Sequence, residues 1–240
     1  MSNSNNDNSQ AKNDNPGERH QCPECGHSQT VTPVSLVTPE SDELTDLFQA
    51  NLNTCVCESC GQKFFLSVPV LFRDEEGNVL VYYIPEEIRD DRRKTEENMQ
   101  GIINDLFVGR SASQMPRCRL VLTYRGFMEK ISIFLDGLDD VVIEYIKYHL
   151  YKDEKRQLDP VRMEMLYDYS NEEDENNIDF LVFDRETGDA MSGINIPVDV
   201  HQEVKACIEK DADVKKEVEK LFAGYYVNVD RIFEEGLDTE

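Results

Sequence analysis

The cysteines are the residues whose spacing most directly implies chemistry. Four of the seven form two C-x-x-C pairs, Cys22 with Cys25 and Cys57 with Cys60. Two intervening residues allow a tight turn to direct both thiolates at one ion, and the glycine after each pair permits the positive φ that such a turn needs. Zinc binds four ligands at the corners of a tetrahedron. The pattern therefore predicts a closed, structural zinc site made of these four thiolates.

Two other interpretations of the pairs stay open. The cysteines could be a cluster of free thiols in a reducing compartment, or one pair could be a thioredoxin-like redox couple. A redox couple needs positive potential near a helix start, whereas the residues around both pairs are acidic. An odd number of cysteines, seven, also argues against a disulfide framework. Zinc is the interpretation that the spacing favours.

The other cysteines and two histidines are secondary candidates. Cys55 stands two residues before the second pair, and strand alternation would place it near the metal, as a bystander or an alternative ligand. His20 and His27 flank the first pair and are weaker candidates. Cys118 and Cys207 lie in apolar-patterned elements, which predicts that both are small core residues.

No group of residues in the sequence has the spacing of a recognised catalytic site. The sequence contains no phosphate-binding P-loop, no H-E-x-x-H and no G-x-S-x-G motif. His149 and His201 are expected at the surface, near a helix end and a helix start. Asp136 is expected to cap a helix, and Asp139 and Asp140 are expected to interact favourably with the positive N-terminal end of that helix. This interpretation is favoured over metal binding by the three aspartates. No catalytic residue is predicted, and an enzyme with thiol redox or hydrolytic chemistry is an alternative.

The charge balance is strongly acidic. The chain has 25 basic and 49 acidic residues, a net charge of −24, and residues 20–87 alone carry 2 basic and 11 acidic groups. No segment is basic, which argues against a general nucleic-acid binder and against anionic membrane surfaces. No apolar run reaches the roughly 18 residues of a membrane span, and the first 20 residues show no apolar signal-peptide region. We therefore expect a cytoplasmic protein.

Composition and patterning predict an α+β fold in two parts. Residues 1–19 contain one apolar residue beyond the initial methionine and are expected to be disordered. Residues 20–87 are expected to form a zinc-ribbon-like β module with an inserted helix. A helical linker over 88–115 and a second α+β domain over 116–240 complete the predicted organisation.

Hydrophobic periodicity predicts individual elements. Ser41 is a plausible N-cap for a helix inserted between the cysteine pairs. The run KFFLSVPVLFRD is expected to be one strand, followed by a turn and the return strand VLVYYI. Apolar residues at helical spacing from Val204 to Phe222 predict one long amphipathic helix that ends at Gly224.

The chain resembles the bacterial CpXC domain family, which is named for paired Cys-Pro-X-Cys motifs. The resemblance rests on CPECG and CESCG, on DELTDLF, on FFLSVPVLFRDEEGNVLVYYIPEE and on RCRLVLTYRGFMEKISIFLDGLDDVVIEYIKYHL, and it covers about residues 20–150. Glu58 departs from the motif, because it stands where a proline would complete the second pair. The resemblance implies a metal-binding module and supplies no reaction.

The expected function follows from the zinc site and the charge. We expect a protein-interaction or adaptor module with a structural four-cysteine zinc site and an acidic surface for a protein partner. The partner, the pathway and the oligomeric state do not follow from the sequence. A nucleic-acid-binding zinc ribbon is a less favoured alternative, since phosphate contact needs a basic stripe that the sequence lacks.

Overall fold

The computed structural model describes residues 17–111, 114–170 and 176–237. Within these ranges the chain forms eleven strands and seven α-helices, which confirms the predicted α+β class. In chain order the strands are β1 (Glu18–Gln21), β2 (Ser28–Val31), β3 (Leu36–Val37), β4 (Thr54–Val56), β5 (Lys63–Phe65), β6 (Val70–Asp74), β7 (Val79–Tyr83), β8 (Arg117–Val121), β9 (Met163–Tyr167), β10 (Asn177–Asp184) and β11 (Ala190–Pro197). The helices are α1 (Asp42–Phe48), α2 (Arg92–Leu106), α3 (Tyr124–Leu135), α4 (Asp140–Lys152), α5 (Val198–Lys210), α6 (Ala212–Leu221) and α7 (Asp230–Glu235).

Two short antiparallel hairpins form the N-terminal part of the fold. β1 pairs with β2, and β4 pairs with β5. Among the described residues, neither hairpin contributes a side chain to any of the three buried apolar clusters. Most of the expected disordered tail, residues 1–16, lies outside the described ranges, whereas Glu18 and Arg19 lie in β1. The hairpins therefore need stabilisation other than apolar burial.

A four-stranded sheet in the order β3-β6-β7-β8 lies at the centre of the chain. β6 and β7 form an antiparallel hairpin, whereas the pairings of β3 with β6 and of β7 with β8 are parallel. In the β6–β7 turn, the backbone N–H of Gly77 donates to Asp74 Oδ1 at 2.8 Å. α1 and α3 contribute Leu47, Phe127 and Ile131 to the apolar cluster that includes Phe72 of this sheet.

The prediction of one strand over KFFLSVPVLFRD is wrong. The run divides into β5 and β6, and the two pieces pair with different strands in different sheets. Pro69 precedes β6 and has no backbone N–H to donate to a ladder. The interruption separates the hairpin that carries the second cysteine pair from the central sheet.

α2 is the crossover helix between two parallel strands. β7 and β8 pair in parallel, from Val79 with Arg117 to Tyr83 with Val121, and parallel neighbours require a long connection, here the one that contains α2. α2 occupies the middle of the segment expected as a linker, residues 88–115. The strand expected to open the second domain thus completes the sheet of the preceding segment. The division into domains stays a prediction.

The C-terminal half packs helices against a second sheet. β9, β10 and β11 form an antiparallel sheet in the order β11-β10-β9. Its inward residues join α4, α6 and α7 in the largest apolar cluster, which contains Ile143, Phe180 and Ile232, each fully buried. The turn from Glu186 to Asp189 leads into β11, which ends at Pro197 as predicted.

The expected long helix from Val204 to Phe222 is two helices. α5 ends at Lys210 and α6 begins at Ala212. Asp211 has extended φ and ψ between them, and its Oδ1 accepts from the backbone N–H groups of Asp213 at 2.9 Å and Val214 at 3.3 Å. An aspartate at this position caps a new helix because its carboxylate satisfies otherwise unpaired amides.

Candidate metal centre

The first C-x-x-C pair lies in the turn that joins β1 to β2. The backbone N–H of Cys22 donates to the carbonyl of His27 at 2.9 Å, and the N–H of Gly26 donates to the carbonyl of Cys22 at 2.9 Å. Gly26 has a φ of +70°, in the left-handed region that side chains other than glycine rarely adopt. The residues CPECG therefore close a compact turn that carries Cys22 and Cys25.

The second pair repeats this geometry in the turn between β4 and β5. The N–H of Cys57 donates to the carbonyl of Gln62 at 2.9 Å, and the N–H of Gly61 donates to the carbonyl of Cys57 at 2.9 Å. Gly61 has a φ of +73°. Glu58, which replaces the proline of the first turn, leaves this hydrogen-bond pattern unchanged.

The structure brings the four predicted sulfurs together from the two hairpins. The Sγ of Cys22 lies 3.7 Å from that of Cys60, and the Sγ of Cys25 lies 3.6 Å from that of Cys57. All four sulfurs lie within 4.8 Å of one another. Sulfurs bound about 2.3 Å from one zinc at tetrahedral corners are about 3.8 Å apart. The cluster therefore fits a single four-coordinate ion.

The CpXC protein family matches residues 20–147, more than half of the 240 residues. The chain belongs to the CpXC protein family. No curated protein and no solved structure matches the chain. The match includes both cysteine turns, the central sheet, α3 and most of α4. The resemblance expected from the sequence is confirmed.

Within the described ranges, no helix of this CpXC protein has the length and apolar character to cross a bilayer.

Backbone amides favour the thiolate form of one sulfur. The backbone N–H groups of Cys60 and Ser59 donate to the sulfur of Cys57 and lower the pKa of this thiol to about 6, against the opposing effect of burial. At Cys60 the N–H of Gln62 acts in the same direction, but hydrogen bonds with the neighbouring sulfurs and burial raise the pKa to about 12. A cation at the centre of the cluster would displace the protons that the thiols still carry.

A buried glutamine joins the two hairpins, and sequence analysis missed it. Gln29 in β2 donates from Nε2 to the carbonyl of Val56 at 3.1 Å, and its Oε1 accepts from the N–H of Glu58 at 3.0 Å. Gln29 is 8 % exposed. Its amide thus holds the backbone of the second cysteine turn on both sides of Cys57. A single glutamine in a Val- and Thr-rich run carries no sequence signal of this role.

Asn53 makes a second bridge of the same kind. Its Oδ1 accepts from the backbone N–H of Val34 at 2.7 Å, and its Nδ2 donates to the carbonyl of Val34 at 2.9 Å. The residue has a φ of +58°, which asparagine tolerates better than most side chains. The amide connects the chain before β4 to the segment after β2, so it joins the two hairpins at their open ends, opposite the cysteine turns.

The other cysteines and the two histidines considered as ligands lie outside the four-cysteine cluster. The metal-competent group of described residues contains neither Cys55, which lies opposite Phe64 in β4, nor His20 or His27. Burial raises the pKa of the Cys55 thiol. Cys118 is buried in β8, as expected for a core residue. The core expectation for Cys207 is wrong, since it lies exposed on α5.

Several expectations around α4 need correction. Asp136 ends α3, and the N-cap of α4 is Asp139, whose Oδ1 accepts from the N–H of Val141 at 3.1 Å. His149 is exposed, as expected, whereas His201 is only 2 % exposed. The Nε2 of His201 accepts from the backbone N–H of Asp139 at 3.0 Å, so the histidine joins the start of α5 to the start of α4. These contacts are between helices, which periodicity does not reveal.

Six charged side chains form a buried ion-pair network between β8, α3 and α4. Its members are three carboxylates and three cations: Arg119, Glu129, Lys130, Asp140, Glu144 and Lys147. All except Arg119 are at most 3 % exposed. The more exposed Arg117 also reaches Asp140, at 3.8 Å. The network also reaches the chain before α7, because Lys130 Nζ donates to the carbonyl of Val227 at 2.8 Å and Glu144 Oε2 accepts from the N–H of Val229 at 2.9 Å.

Ion pairing inside the network outweighs burial at two of the carboxylates. Burial alone would raise the pKa of Asp140, but Lys130 and the bidentate Arg119, at 2.6 and 3.0 Å, hold it at about 2. Burial likewise opposes ionisation of Glu144, whose pKa is nevertheless lowered by Lys147 and Lys130. At Glu129 burial is the larger effect, and its pKa is raised although Lys147 contacts it. The paired groups are anchored charges that fix the helices.

Proposed function

We propose that this CpXC protein is a protein-interaction module whose N-terminal part is held together by one structural Zn²⁺. The observation that carries the zinc assignment is the convergence of four thiols from two hairpins, all within 4.8 Å. Cys22, Cys25, Cys57 and Cys60 would be the ligands. Bound zinc would supply a fixed double positive charge and four strong bonds to sulfur.

Zinc would provide the stabilisation that the hairpins lack. Neither hairpin belongs to an apolar cluster of the described residues. The side-chain contacts that hold them include the amides of Gln29 and Asn53 and an edge-on contact, with centroids 5.3 Å apart, between the rings of Phe65 and Tyr124. A structural zinc site contributes an apparent free energy of about 10 kcal/mol or more at neutral pH. Four thiolates also occupy every tetrahedral position, which supports a structural role and not an open catalytic site.

The surface beside the site supports the interaction role. Val56 and Phe65 lie on one face of the β4–β5 ladder, next to the second cysteine turn, and are 54 % and 41 % exposed. The net charge of −24 favours a partner with a basic surface, because opposite charges steer association. Thiolate ligands are best preserved in a reducing compartment, which supports a cytoplasmic location.

Metal analysis tests the zinc assignment. We expect about one zinc per purified chain, and Co²⁺ substitution is expected to give the absorption of a tetrahedral sulfur site. Cys60→Ser should lose the metal and the spectrum, whereas Cys55→Ser, a neighbouring cysteine outside the cluster, should retain both. Metal-free protein with an ordered N-terminal part, or a Cys22–Cys25 disulfide in protein purified under reducing conditions, would contradict the proposal.

Cross-linking in native cytosol tests the interaction role. A double variant, Val56→Ser with Phe65→Ser, should lose the protein cross-links of the wild type, and Val161→Ser, which alters a 78 % exposed valine elsewhere, should keep them. Cross-links that persist in the double variant would place the interface elsewhere. Tight binding of the purified protein to nucleic acid at moderate salt would favour the alternative of a nucleic-acid-binding ribbon instead.

A further inference from the structure

A second site lies far from the cysteines in sequence, between α3 and the outer face of β9 and β10. A pocket of about 240 Å³ opens there, and its walls include Met128, Leu166, Leu181 and Phe183. One-ring molecules fit cavities of this order, since an engineered apolar cavity of about 150 Å³ binds benzene. The pocket uses none of the residues of the metal centre.

Glu129 supplies the polar end of this pocket. It lines the pocket although it is only 1 % exposed. Its Oε1 accepts from Lys147 Nζ and, at 2.7 Å, from the backbone N–H of Tyr167. Its Oε2 is buried and has no hydrogen-bond partner among the described residues. A buried carboxyl oxygen without a partner is costly, so a hydrogen-bonding group is expected to occupy the adjacent space.

Contacts among the side chains around the pocket support its walls. The hydroxyl of Tyr169 donates to Met128 Sδ at 3.6 Å, and the Tyr169 ring packs on Phe48 with centroids 5.1 Å apart. On the other side, the guanidinium of Arg125 covers the ring of Phe183 at 4.7 Å. Preformed apolar walls with one buried polar group are the usual composition of a small-molecule site.

The charges around Glu129 decide what kind of group it receives. The three carboxylates of the buried network already face three cations and, at 3.8 Å from Asp140, the more exposed Arg117, so an added ammonium would increase an excess of positive charge there. The other charged residues that line the pocket, Arg125 and Asp168, have opposite signs. A hydroxyl carries no charge, and it donates to a carboxylate or accepts from a carboxylic acid. The hydroxyl thus satisfies Oε2 in either protonation state, which matters because burial raises the pKa of Glu129.

We propose that this pocket binds a neutral small molecule with a hydroxyl group on an apolar body of about one ring. The hydroxyl contacts Glu129 Oε2, and the ring lies between Met128 and Phe183. A water molecule alone would supply the hydrogen bond to Oε2, but it would make no apolar contact with the walls of the pocket. The proposal is independent of the zinc assignment, because its test measures binding in a different part of the chain.

Calorimetry and amide chemical shifts with three probes test the proposal on the full-length protein. 4-Methylphenol is expected to bind one per chain and to shift the amide signals of Tyr167 and Leu181. The titration is made at mildly alkaline pH, because only an ionised Glu129 requires a donor. 4-Methylanisole, which cannot donate, is then expected to bind at least about tenfold more weakly than 4-methylphenol, and benzylamine is also expected to bind more weakly than 4-methylphenol. Equal affinity of the phenol and the ether, tighter binding of the amine, or binding of none of the three would overturn the proposal.

Two variants locate the effect. Glu129→Gln should bring the affinities of 4-methylphenol and 4-methylanisole within about threefold of each other, because an amide N–H donates to either oxygen. Leu181→Phe should fill the pocket and abolish binding, whereas Val161→Phe, at an exposed position outside it, should not. If Glu129→Gln fails to fold, Leu181→Phe still decides, since unchanged binding in that variant excludes this pocket.

Discussion

At the scale of single residues, a side-chain amide supports the second cysteine turn. Gln29 spans from β2 to the backbone on both sides of Cys57, through bonds of 3.1 and 3.0 Å. Its donor and acceptor are both used, and the residue is buried. An apolar or shorter side chain at this position would leave the carbonyl of Val56 and the N–H of Glu58, both in part-buried hydrogen bonds, without this partner.

Gln29→Ala should therefore destabilise the N-terminal hairpins by about 2 kcal/mol, with a matching loss of zinc affinity. Gln62→Ala is the matched control, because Gln62 makes one exposed side-chain bond and its loss should cost less than about 0.5 kcal/mol. Denaturant unfolding and competition with a zinc chelator measure the two effects. Equal behaviour of the two variants would show that the amide bridge contributes nothing.

His201 is the residue whose titration should affect stability near neutral pH. Burial lowers the pKa of His201, with a smaller opposing effect of Asp139, and Lys205 lowers it further. The unfolded value is about 6.5, so the unfolded state binds the extra proton first. The contribution of neutral His201 to the free energy of unfolding is therefore fully present above about pH 6.5 and is lost as the pH falls below that value. Protonation also places an N–H at Nε2, opposite the N–H of Asp139.

We expect the free energy of unfolding to decrease between pH 7 and pH 5.5, and the slope to be shallower in His201→Asn. Although His149 is exposed as a residue, its imidazole packs against the ring of Tyr145 with centroids 4.4 Å apart, and this partial desolvation lowers its pKa. The double variant with His149→Asn should therefore show the weakest dependence of the free energy of unfolding on pH. Urea unfolding at a series of pH values measures the slopes. A slope in His201→Asn equal to that of the wild type would mean that His201 does not titrate in this range.

At the scale of elements, α3 and α4 are joined by charges as well as by apolar packing. Lys147 Nζ contacts Glu129 and Glu144, and all three groups are essentially buried. Buried ion pairs contribute little to the free energy of unfolding when they are compared with apolar side chains of similar size. Removal of one partner, however, is costly because it leaves a buried charge without compensation. The network therefore specifies the position of the helices more than it adds to their stability.

Lys147→Met should lower the free energy of unfolding by about 3–5 kcal/mol, since Glu129 and Glu144 would lose their shared cation. Lys94→Met is the matched control, because Lys94 pairs with Asp90 at 3.0 Å on the surface, and its replacement should cost less than about 1 kcal/mol. Thermal and urea unfolding provide the comparison. A loss below about 1 kcal/mol for Lys147→Met would show that Glu129 and Glu144 do not depend on this cation.

At the scale of the whole molecule, the four-cysteine cluster lies outside the buried apolar clusters of the described residues, although Val37, Leu47 and Leu52, between the two cysteine pairs, belong to one of them. The hairpins carry the four clustered thiols, whereas the largest cluster joins β9–β11 to α4, α6 and α7. Stability is therefore expected to be uneven, with local opening of the hairpins at lower free energy than opening of the C-terminal core.

Removal of the metal by a strong chelator should unfold the hairpins and spare the rest. Hydrogen exchange of the amides in β1, β2, β4 and β5 should become fast, while protection in α4 and β10 should persist. Exchange measured with and without chelator distinguishes the outcomes. Cooperative loss of protection across the whole chain would show that zinc stabilises the molecule globally, and unchanged protection in the hairpins would exclude a structural metal.

Local sequence patterns predicted the structure correctly where it depends on contacts between residues close in sequence. C-x-x-C-G specifies a turn through its own backbone bonds and glycine φ, so both cysteine turns could be predicted. The β6–β7 hairpin and the family resemblance were likewise predictable from contiguous residues. Periodicity failed at KFFLSVPVLFRD and at Asp211, where apolar spacing continues across a break that proline or a capping carboxylate creates.

The sequence by itself determined the α+β class, the CpXC family and which four cysteines could meet. Only the tertiary structure decided that β8 completes the central sheet, that Gln29 supports the second cysteine turn, and that six charges and His201 are buried between helices. The physical reason is the range of the interactions. Turns and amphipathic faces depend on residues a few positions apart, whereas parallel pairing and buried ion pairs depend on partners that folding brings from distant segments.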